Sequence, residues 1–322
     1  MLNFSLAEAG ERQMDLSIVI VSWNSFAELR DCIGSLVGQA DEDFSYEIIL
    51  VDNASSDDSV ALVQKCFPVV RIIANYENKG FAGASNQGIL ASTGRFVLLL
   101  NPDSVVESGV LKGIITFMDA APDAGACGCK LLESDKSLQY SARCFPHLSD
   151  VLMSLPGISR IIPNNHYKRE YLMMNWDHRR IRTVEWISGA CLVMRREAIA
   201  QVGLLDERFF MYCEDMDWCF RLFKTSWKIY YLPHLTIVHH RGASSSQTAP
   251  RMILAHHISM WKYAQKHLRG NWPRLLFAPL TGFFLAMRVA LLLLGYLLCQ
   301  GISGRTESRE ISADAANEAS NS

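Results

Sequence analysis

The sequence has no pair of cysteines at CxxC spacing, although its 322 residues include nine cysteines. An odd number of scattered cysteines argues against a zinc site and against a disulfide framework, and it is typical of free thiols in a reducing compartment. Neither GxGxxG nor GxxxxGK occurs, which counts against dinucleotide-dependent dehydrogenases and P-loop enzymes. The formal net charge of -2 provides no basic field, so we expect no nucleic-acid partner.

The first residues also lack a basic start followed by an apolar stretch, so we expect no secretory signal and a cytoplasmic location. With 49% hydrophobic residues, the chain can bury the core of one large domain or two small ones. The composition therefore predicts a catalytic or binding domain in a reducing compartment.

The most informative segment is RFVLLLNPDS, residues 95–104. Its five consecutive apolar residues, Phe96 to Leu100, predict a strand buried on both faces, as in the middle of a parallel sheet. Pro102 cannot continue that strand, so Asp103 lies just beyond its carboxyl end, where open α/β sheets bind ligands. The alternative is a type I turn followed by a capping box, residues 104–107, that starts the next helix.

Strand and helix patterns alternate four times before residue 101. This alternation predicts right-handed βαβ units and an α/β fold, with a mixed, mainly parallel sheet flanked by helices. The predicted strands cover residues 16–22, 46–51, 69–74 and 96–100, and the predicted helices cover 26–37, a stretch opening at 57–58, and 81–92.

Two polar segments follow predicted strands. In VDNASSDD, Asp52 lies at the tip of the second strand, although this composition is also typical of a simple helix start. The segment NKGFAGASNQG, residues 78–88, contains three glycines. Glycines there allow either close packing of a helix on the sheet or a close approach of the backbone to a ligand.

Beyond an irregular stretch at residues 133–185, a predicted helix begins with Glu214 and Asp215 among aromatic residues. Partial burial raises a carboxyl pKa and makes the group a better proton acceptor, as a general base requires. The alternative is structural, because acids stabilise helix N-termini and Asp217 with Arg221 forms an ordinary i,i+4 pair. Two short strands, residues 228–232 and 235–238, are expected next, before His239-His240-Arg241-Gly242.

The last third contains a predicted helix over residues 251–269 and a nearly continuous apolar run over 275–299. As a helix the run would extend roughly 37 Å at about 1.5 Å per residue, which is enough to cross a bilayer core of about 30 Å. Arg288 near its middle argues against a simple span. We therefore expect an in-plane or hairpin anchor, the alternative being a helix packed within the same domain.

The polar residues of the 251–269 helix are expected on a solvated or membrane-facing side. Arginines that flank the apolar run are expected near anionic headgroups. The polar set is His256, His257, Lys262, Lys266, His267 and Arg269, and the flanking set is Arg269, Arg274, Arg305 and Arg309.

Taken together, seven segments over residues 16–245 resemble family-2 glycosyltransferases with the GT-A fold, specifically the rhamnosyltransferase-like branch. The resemblance implies inverting transfer of a sugar from a nucleotide-sugar donor, with rhamnose from dTDP-rhamnose as the branch suggests. It implies a lipid-linked saccharide acceptor of bacterial surface polysaccharide synthesis, used at the cytoplasmic face of the inner membrane. The segments are SIVIVSWN, VDNASSDD, NKGFAGASNQG, LLLNPDS, WISGACLVMRR, LDERFFMYCEDMDWCFR and VHHRGASS.

The same resemblance implies a divalent metal, Mg²⁺ or Mn²⁺, held by Asp103 at the position of the family's DxD-type acids. Here Asn101 replaces the first acid of that motif. A histidine after the last strand completes the metal site in the family, and the spacing favours His239 over His240.

Catalytic and substrate-binding residues also carry over by resemblance. The family's ED pair matches Glu214 and Asp215, with Asp215 as the general base. Asp52 would contact the nucleobase. The full substrate-binding set is Ser22, Asn24, Asp52, Asn78, Gly80, Asn86, Asn101, Trp186 and Gly189.

Four segments are expected: an N-terminal extension (1–15), the GT-A domain (16–250), a helical membrane-associating region (251–300) and a disordered tail (301–322). Two rival functions stay open. The first is a processive polysaccharide synthase of the same fold. Such synthases resemble one another in carrying a QxxRW motif, and this sequence has no Arg-Trp pair. A catalytically inactive, nucleotide-sugar-binding scaffold is suggested by Asn101.

Overall fold

The computed structural model describes residues 14–39, 43–147, 166–240, 249–268, 270 and 276–292. Twelve strands occur in these residues: β1 (Leu16–Ser22), β2 (Tyr46–Asp52), β3 (Arg71–Ala74), β4 (Phe96–Leu100), β5 (Ser104–Val106), β6 (Ala124–Leu132), β7 (Leu138–Gln139), β8 (Ala142–Arg143), β9 (Arg182–Thr183), β10 (Trp186–Ile187), β11 (Cys191–Arg195) and β12 (Lys228–His239).

Helices follow most strands of the first half and recur near the end of the chain. They span Phe26–Val37, Ser59–Cys66, Gly80–Ala91, Val110–Ala120, His166–Tyr171, Arg196–Val202, Glu214–Phe223 and Ala249–Tyr263, the last continuing as a π-helical turn over Ala264–Leu268. Residues 276–292 form a further helix. We call Glu214–Phe223 the acidic helix, residues 249–268 the first C-terminal helix and residues 276–292 the second C-terminal helix.

A ten-stranded mixed sheet forms the centre, with its main path in the order β3-β2-β1-β4-β11-β6-β12-β5. The first four strands of this path pair in parallel, whereas β11 is antiparallel to both β4 and β6. Helices cover both faces, which produces two large apolar clusters. The predicted α/β fold with a mainly parallel first half is confirmed.

The buried central strand is confirmed as well, because every residue of β4 is at most 1% exposed. The alternative for the segment that follows it, a capping box at residues 104–107, is wrong. Ser104–Val106 forms β5 and pairs antiparallel with the end of β12, and the next helix begins only at Val110. Long-range pairing outweighs the local capping pattern here.

The two short strands expected at 228–232 and 235–238 are one strand, with a register shift between Leu232 and Thr236.

The polar face of the first C-terminal helix lies against the acidic helix. Asp217, whose side chain is 0% exposed, is 2.6 Å from Lys266 Nζ, 2.6 Å from His267 Nε2 and 2.9 Å from Arg221 Nε. The expectation of a solvated or membrane-facing polar side is wrong for His257, which is 5% exposed. It is also wrong for Lys266 and His267, because a buried carboxylate requires close polar partners, and Lys266 and His267 supply two of them.

The second C-terminal helix packs against the first through one face. Trp261 Nε1 donates to Ala278 O at 3.2 Å, Gln265 Nε2 donates to Thr281 Oγ1 at 2.9 Å, and Phe277 is 1% exposed. Within the part of the chain that the structure describes, no helix is both long enough and apolar enough to cross a membrane.

Several expectations concern residues outside the described ones. These are most of the N-terminal extension (1–13), part of the irregular stretch (148–165), the remainder of the apolar run (293–299), the tail (301–322) and the flanking residues Arg269, Arg274, Arg305 and Arg309.

Candidate active site

A cavity of about 600 Å³ opens beyond the carboxyl end of β4. It is lined by the loop after β4, the β7–β8 segment, the start of the acidic helix, the end of β12 and the first C-terminal helix. Seven of the residues predicted from sequence lie in its wall: Asn101, Asp103, Trp186, Gly189, Glu214, Asp215 and His239.

Asp103 and His239 meet because β5 pairs with β12, which places Ser104 opposite His239. Asp103 Oδ1 lies 3.1 Å from His239 Nε2. His240 points elsewhere, is exposed, and has its Nδ1 2.7 Å from Ser134 Oγ. The structure thus brings the preferred histidine to Asp103.

Gln139 fixes the ring of His239. Its side-chain Nε2 donates to the backbone oxygen of His239 at 2.8 Å, so its Oε1 faces His239 Nδ1, also at 2.8 Å. In the neutral imidazole Nδ1 therefore carries the proton, and Nε2 presents a lone pair toward Asp103 and toward Asn101 Nδ2, which is 3.1 Å away.

These residues fit a divalent cation. The Asp103 Oδ1 atom is buried without a hydrogen-bond partner and faces an imidazole lone pair, an arrangement that a cation between the two groups would stabilise. Carboxylate oxygen and imidazole nitrogen suit Mg²⁺ or Mn²⁺. No cluster of three His, Cys, Asp or Glu side chains that could hold a metal occurs in the described ranges.

The start of the acidic helix forms the opposite part of the wall. Tyr212 and Cys213 have φ angles of 68° and 66°, a left-handed conformation that is costly for residues with a Cβ and is often found at functional sites. This turn directs Glu214 and Asp215 into the cavity. Asp215 Oδ2 accepts a hydrogen bond from Gly189 N at 2.7 Å.

Burial sets the pKa values of both carboxyl groups. It raises the pKa of Glu214 well above its usual range, and the neighbouring charge of Asp215 adds to the effect. Burial also raises the pKa of Asp215, although backbone N–H groups and the positive charge of Arg143 oppose it. The predicted desolvation is confirmed, and the choice of Asp215 over Glu214 as the general base stays a prediction.

Two other predicted residues lie at the neighbouring strand ends. Ser22 and Asp52 end β1 and β2 and are register partners. Ser22 Oγ and Asp52 Oδ1 are both buried without a hydrogen-bond partner, which leaves two polar atoms available to a ligand. They lie outside the cavity wall, and their role in binding a nucleotide stays a prediction.

Gly80 and Asn78 build the turn into the helix Gly80–Ala91. Asn78 Oδ1 accepts a hydrogen bond from Gly80 N at 2.9 Å. Gly80 has a φ of 73°, and a Cβ there would lie 2.3 Å from Phe210 O, so only glycine fits.

Asn24 and Asn86 hold other segments in place. Asn24 Oδ1 accepts a hydrogen bond from Ser56 N at 2.8 Å, and the buried Asn86 exchanges two hydrogen bonds with the backbone of Leu205. Contacts of this kind position loops, and the assignment of these residues to a nucleotide pocket stays a prediction.

Sequence reasoning missed other residues of the wall, among them Gln139, Arg143, His256 and Met260. The first two lie in the irregular stretch after β6, where no hydrophobic period was visible. The other two lie on the first C-terminal helix, whose polar residues suggested an outer surface. Only the unusual length of the irregular stretch indicated a functional segment there.

Comparisons with known proteins agree with this architecture. The family model "Glycosyl transferase family 2" matches residues 17–203. N-acetylglucosaminyl-diphospho-decaprenol L-rhamnosyltransferase of Mycobacterium tuberculosis is 29% identical over 308 residues, which cover 92% of this chain and 96% of that protein. Rhamnosyltransferase WbbL of Escherichia coli is 27% identical, over 71% of this chain and 86% of that one.

Among solved structures, the mannosyltransferase PcManGT of Pyrobaculum calidifontis, in complex with GDP-Man and Mn²⁺, superposes with a TM-score of 0.55. The superposition covers 91% of this chain and 80% of that one at 14% identity, which supports the GT-A fold alone. Because the family model covers more than half of the sequence, the chain belongs to glycosyl transferase family 2 and is similar to its rhamnosyltransferases.

Proposed function

We propose that this protein is an inverting glycosyltransferase that moves rhamnose from dTDP-rhamnose to a lipid-linked saccharide in bacterial surface polysaccharide synthesis. The observation that carries the proposal is that Asp215 and the Asp103–His239 pair line the same cavity. The names of the two similar rhamnosyltransferases support the donor sugar, and the M. tuberculosis name supports a lipid-diphosphate acceptor.

In this proposal Asp215 accepts the proton of the acceptor hydroxyl as that oxygen attacks the anomeric carbon. Gly189 N and Met216 N hold the carboxylate in place at 2.7 Å each. A single displacement inverts the anomeric carbon and requires no covalent enzyme nucleophile. One base is therefore sufficient.

Asp103 and His239 are proposed to hold Mg²⁺ or Mn²⁺, which would offset the charge of the departing nucleoside diphosphate. Gln139 orients the His239 ring so that Nε2 faces the proposed metal site. Mn²⁺ in the PcManGT complex supports a divalent ion in this fold.

Asp103→Ala should abolish metal-dependent nucleotide binding because it removes the carboxylate of the proposed metal site. Isothermal calorimetry with dTDP and Mn²⁺ measures the effect, and circular dichroism checks the fold. The control is Asp135→Ala, which removes an exposed carboxylate that accepts a hydrogen bond from Ser137 N in the turn before β7. Equal affinity of the parent chain and Asp103→Ala for dTDP plus Mn²⁺ would reject the metal assignment.

Asp215→Asn should lower kcat by at least about a hundredfold, because the amide cannot accept the proton of the acceptor hydroxyl. Donor affinity should stay intact, because the amide has nearly the same shape as the carboxylate. Glu214→Gln, the matched control, should do less, because burial raises the pKa of Glu214 well above its usual range and disfavours the charged form that a base requires. Steady-state kinetics and calorimetry give both quantities. A larger loss in Glu214→Gln would reverse the roles, and a parent chain that binds dTDP-rhamnose without transferring it would favour the scaffold.

The second C-terminal helix has an exposed apolar face, which we propose lies on the cytoplasmic surface of the inner membrane. Its large exposed side chains recur at helical spacing, and residues 270–306 contain three arginines and no acidic residue. Exposed apolar surface beside positive charge matches an anionic bilayer. The exposed residues are Leu276, Leu280, Phe283, Met287 and Leu291, joined by Leu254 and Ile258 of the first C-terminal helix.

Changing Leu280, Phe283 and Met287 together to Glu should abolish flotation of the protein with anionic vesicles, because it places charge on the proposed membrane face. The exposed side chains of the catalytic domain offer a control, Val69→Glu with Tyr76→Glu, which should float like the parent. Persistent flotation of the triple variant would refute the membrane face. A parent dimer that the triple variant dissociates, seen by analytical ultracentrifugation, would assign the face to a second copy.

A further inference from the structure

Among the described residues that line the cavity, Arg143 is the only lysine or arginine. Three carboxyl groups, those of Asp103, Glu214 and Asp215, line the same wall. The substrates of the proposed reaction are anions, so the positively charged side chain of Arg143 is a candidate contact for one of them.

The guanidinium of Arg143 is held in place by a backbone hydrogen bond and by two aromatic rings. Nε donates to Tyr140 O at 2.9 Å, and Cζ lies 4.9 Å from the centroid of the Trp186 ring and 5.7 Å from that of Tyr171. Trp186 is also its strand partner, since β8 pairs with β10. In the described part of the chain, Arg143 forms no ion pair with a carboxylate.

Arg143 lies close to both the general base and the first C-terminal helix. Its positive charge opposes the rise in the pKa of Asp215. Burial, together with the positive charges of His257, Arg288 and Arg143, lowers the pKa of His256 to about 4. At neutral pH His256 is therefore uncharged, whereas Arg143, which lines the cavity, is charged.

We propose that Arg143 binds a phosphate group of the lipid-diphosphate acceptor, an inference that rests on the proposed function. The reacting hydroxyl of such an acceptor lies at Asp215, its lipid extends toward the membrane, and its diphosphate joins the two. Arg143 lines the same cavity as Asp215 and the first C-terminal helix. The first C-terminal helix contributes His256 and Met260 to this part of the wall and exposes Leu254 and Ile258 on its outside.

The chemistry of the side chain fits that ligand. A guanidinium presents a planar fork of N–H donors that matches phosphate oxygens, and stacking against two rings fixes its plane in advance. The donor diphosphate has a separate proposed site at Asp103 and His239. Arg143 would therefore select acceptors that carry a phosphate.

The test compares two acceptors that bear the same saccharide, one on a short prenyl diphosphate and one on an uncharged alkyl chain. Arg143→Gln should raise KM for the diphosphate acceptor about ten- to a hundredfold, the loss of one or two charged hydrogen bonds, with a small change in kcat. KM for the alkyl glycoside should stay unchanged. Arg143→Lys should recover part of the loss, because it restores the charge without the fork.

Arg182→Gln is the matched control, because Arg182 also stacks on a ring, with Cζ 5.4 Å from the Trp176 centroid, but lies outside the cavity wall. It should leave both KM values unchanged. Equal losses on both acceptors in Arg143→Gln would reduce Arg143 to a structural role. Weaker calorimetric binding of dTDP plus Mn²⁺ to Arg143→Gln than to the parent chain would show that Arg143 binds the donor diphosphate, which would overturn the inference.

Direct binding separates this inference from the proposed function. Fluorescence titration with the prenyl-diphosphate saccharide should show weaker binding to Arg143→Gln than to the parent chain. A parent chain that binds this ligand but transfers no sugar would refute the proposed function, while the same comparison would still decide the phosphate site. Equal binding by both chains would overturn the inference.

Discussion

The buried carboxylate of Asp217 is the interaction on which the arrangement of the site depends. It lies inside the acidic helix, two residues after the proposed base, and its charge is stabilised by Arg221 from the same helix and by Lys266 and His267 from the first C-terminal helix. Leaving a buried charge without compensation typically costs about 3 to 5 kcal/mol. These contacts hold the first C-terminal helix against the acidic helix, and the first C-terminal helix contributes His256 and Met260 to the cavity wall.

Sheet pairing imposes the second constraint. The end of β4 and the end of β12 are brought together because the short strand β5 pairs with β12, and this places Asp103 beside His239. Gln139 then orients the imidazole from a third segment. Rigid strand ends thus carry the proposed metal ligands, whereas a strained helix start carries the proposed base.

Sequence alone was sufficient wherever the deciding contacts are local. A five-residue apolar run predicted β4, alternating patterns predicted the parallel half of the sheet, and aromatic neighbours predicted the desolvation of Glu214 and Asp215. Contacts between distant segments could not be predicted from the sequence. Gln139 contacts His239, which lies 100 residues away in sequence. Lys266 contacts Asp217 from a helix whose polar side was expected to face solvent or a membrane. The sequence around Gln139 and Lys266 does not indicate these contacts, because the periodicity of hydrophobic residues predicts the burial of apolar side chains only.

The central claim is that one carboxylate, Asp215, suffices because the sugar is transferred in a single displacement. The most direct test is the anomeric configuration of the product, determined by NMR on the disaccharide that the purified protein forms from dTDP-rhamnose and a prenyl-diphosphate saccharide. A product whose anomeric configuration is opposite to that of the donor is the predicted result. A product with the configuration retained would contradict the account, because retention requires a second displacement or a different chemical course.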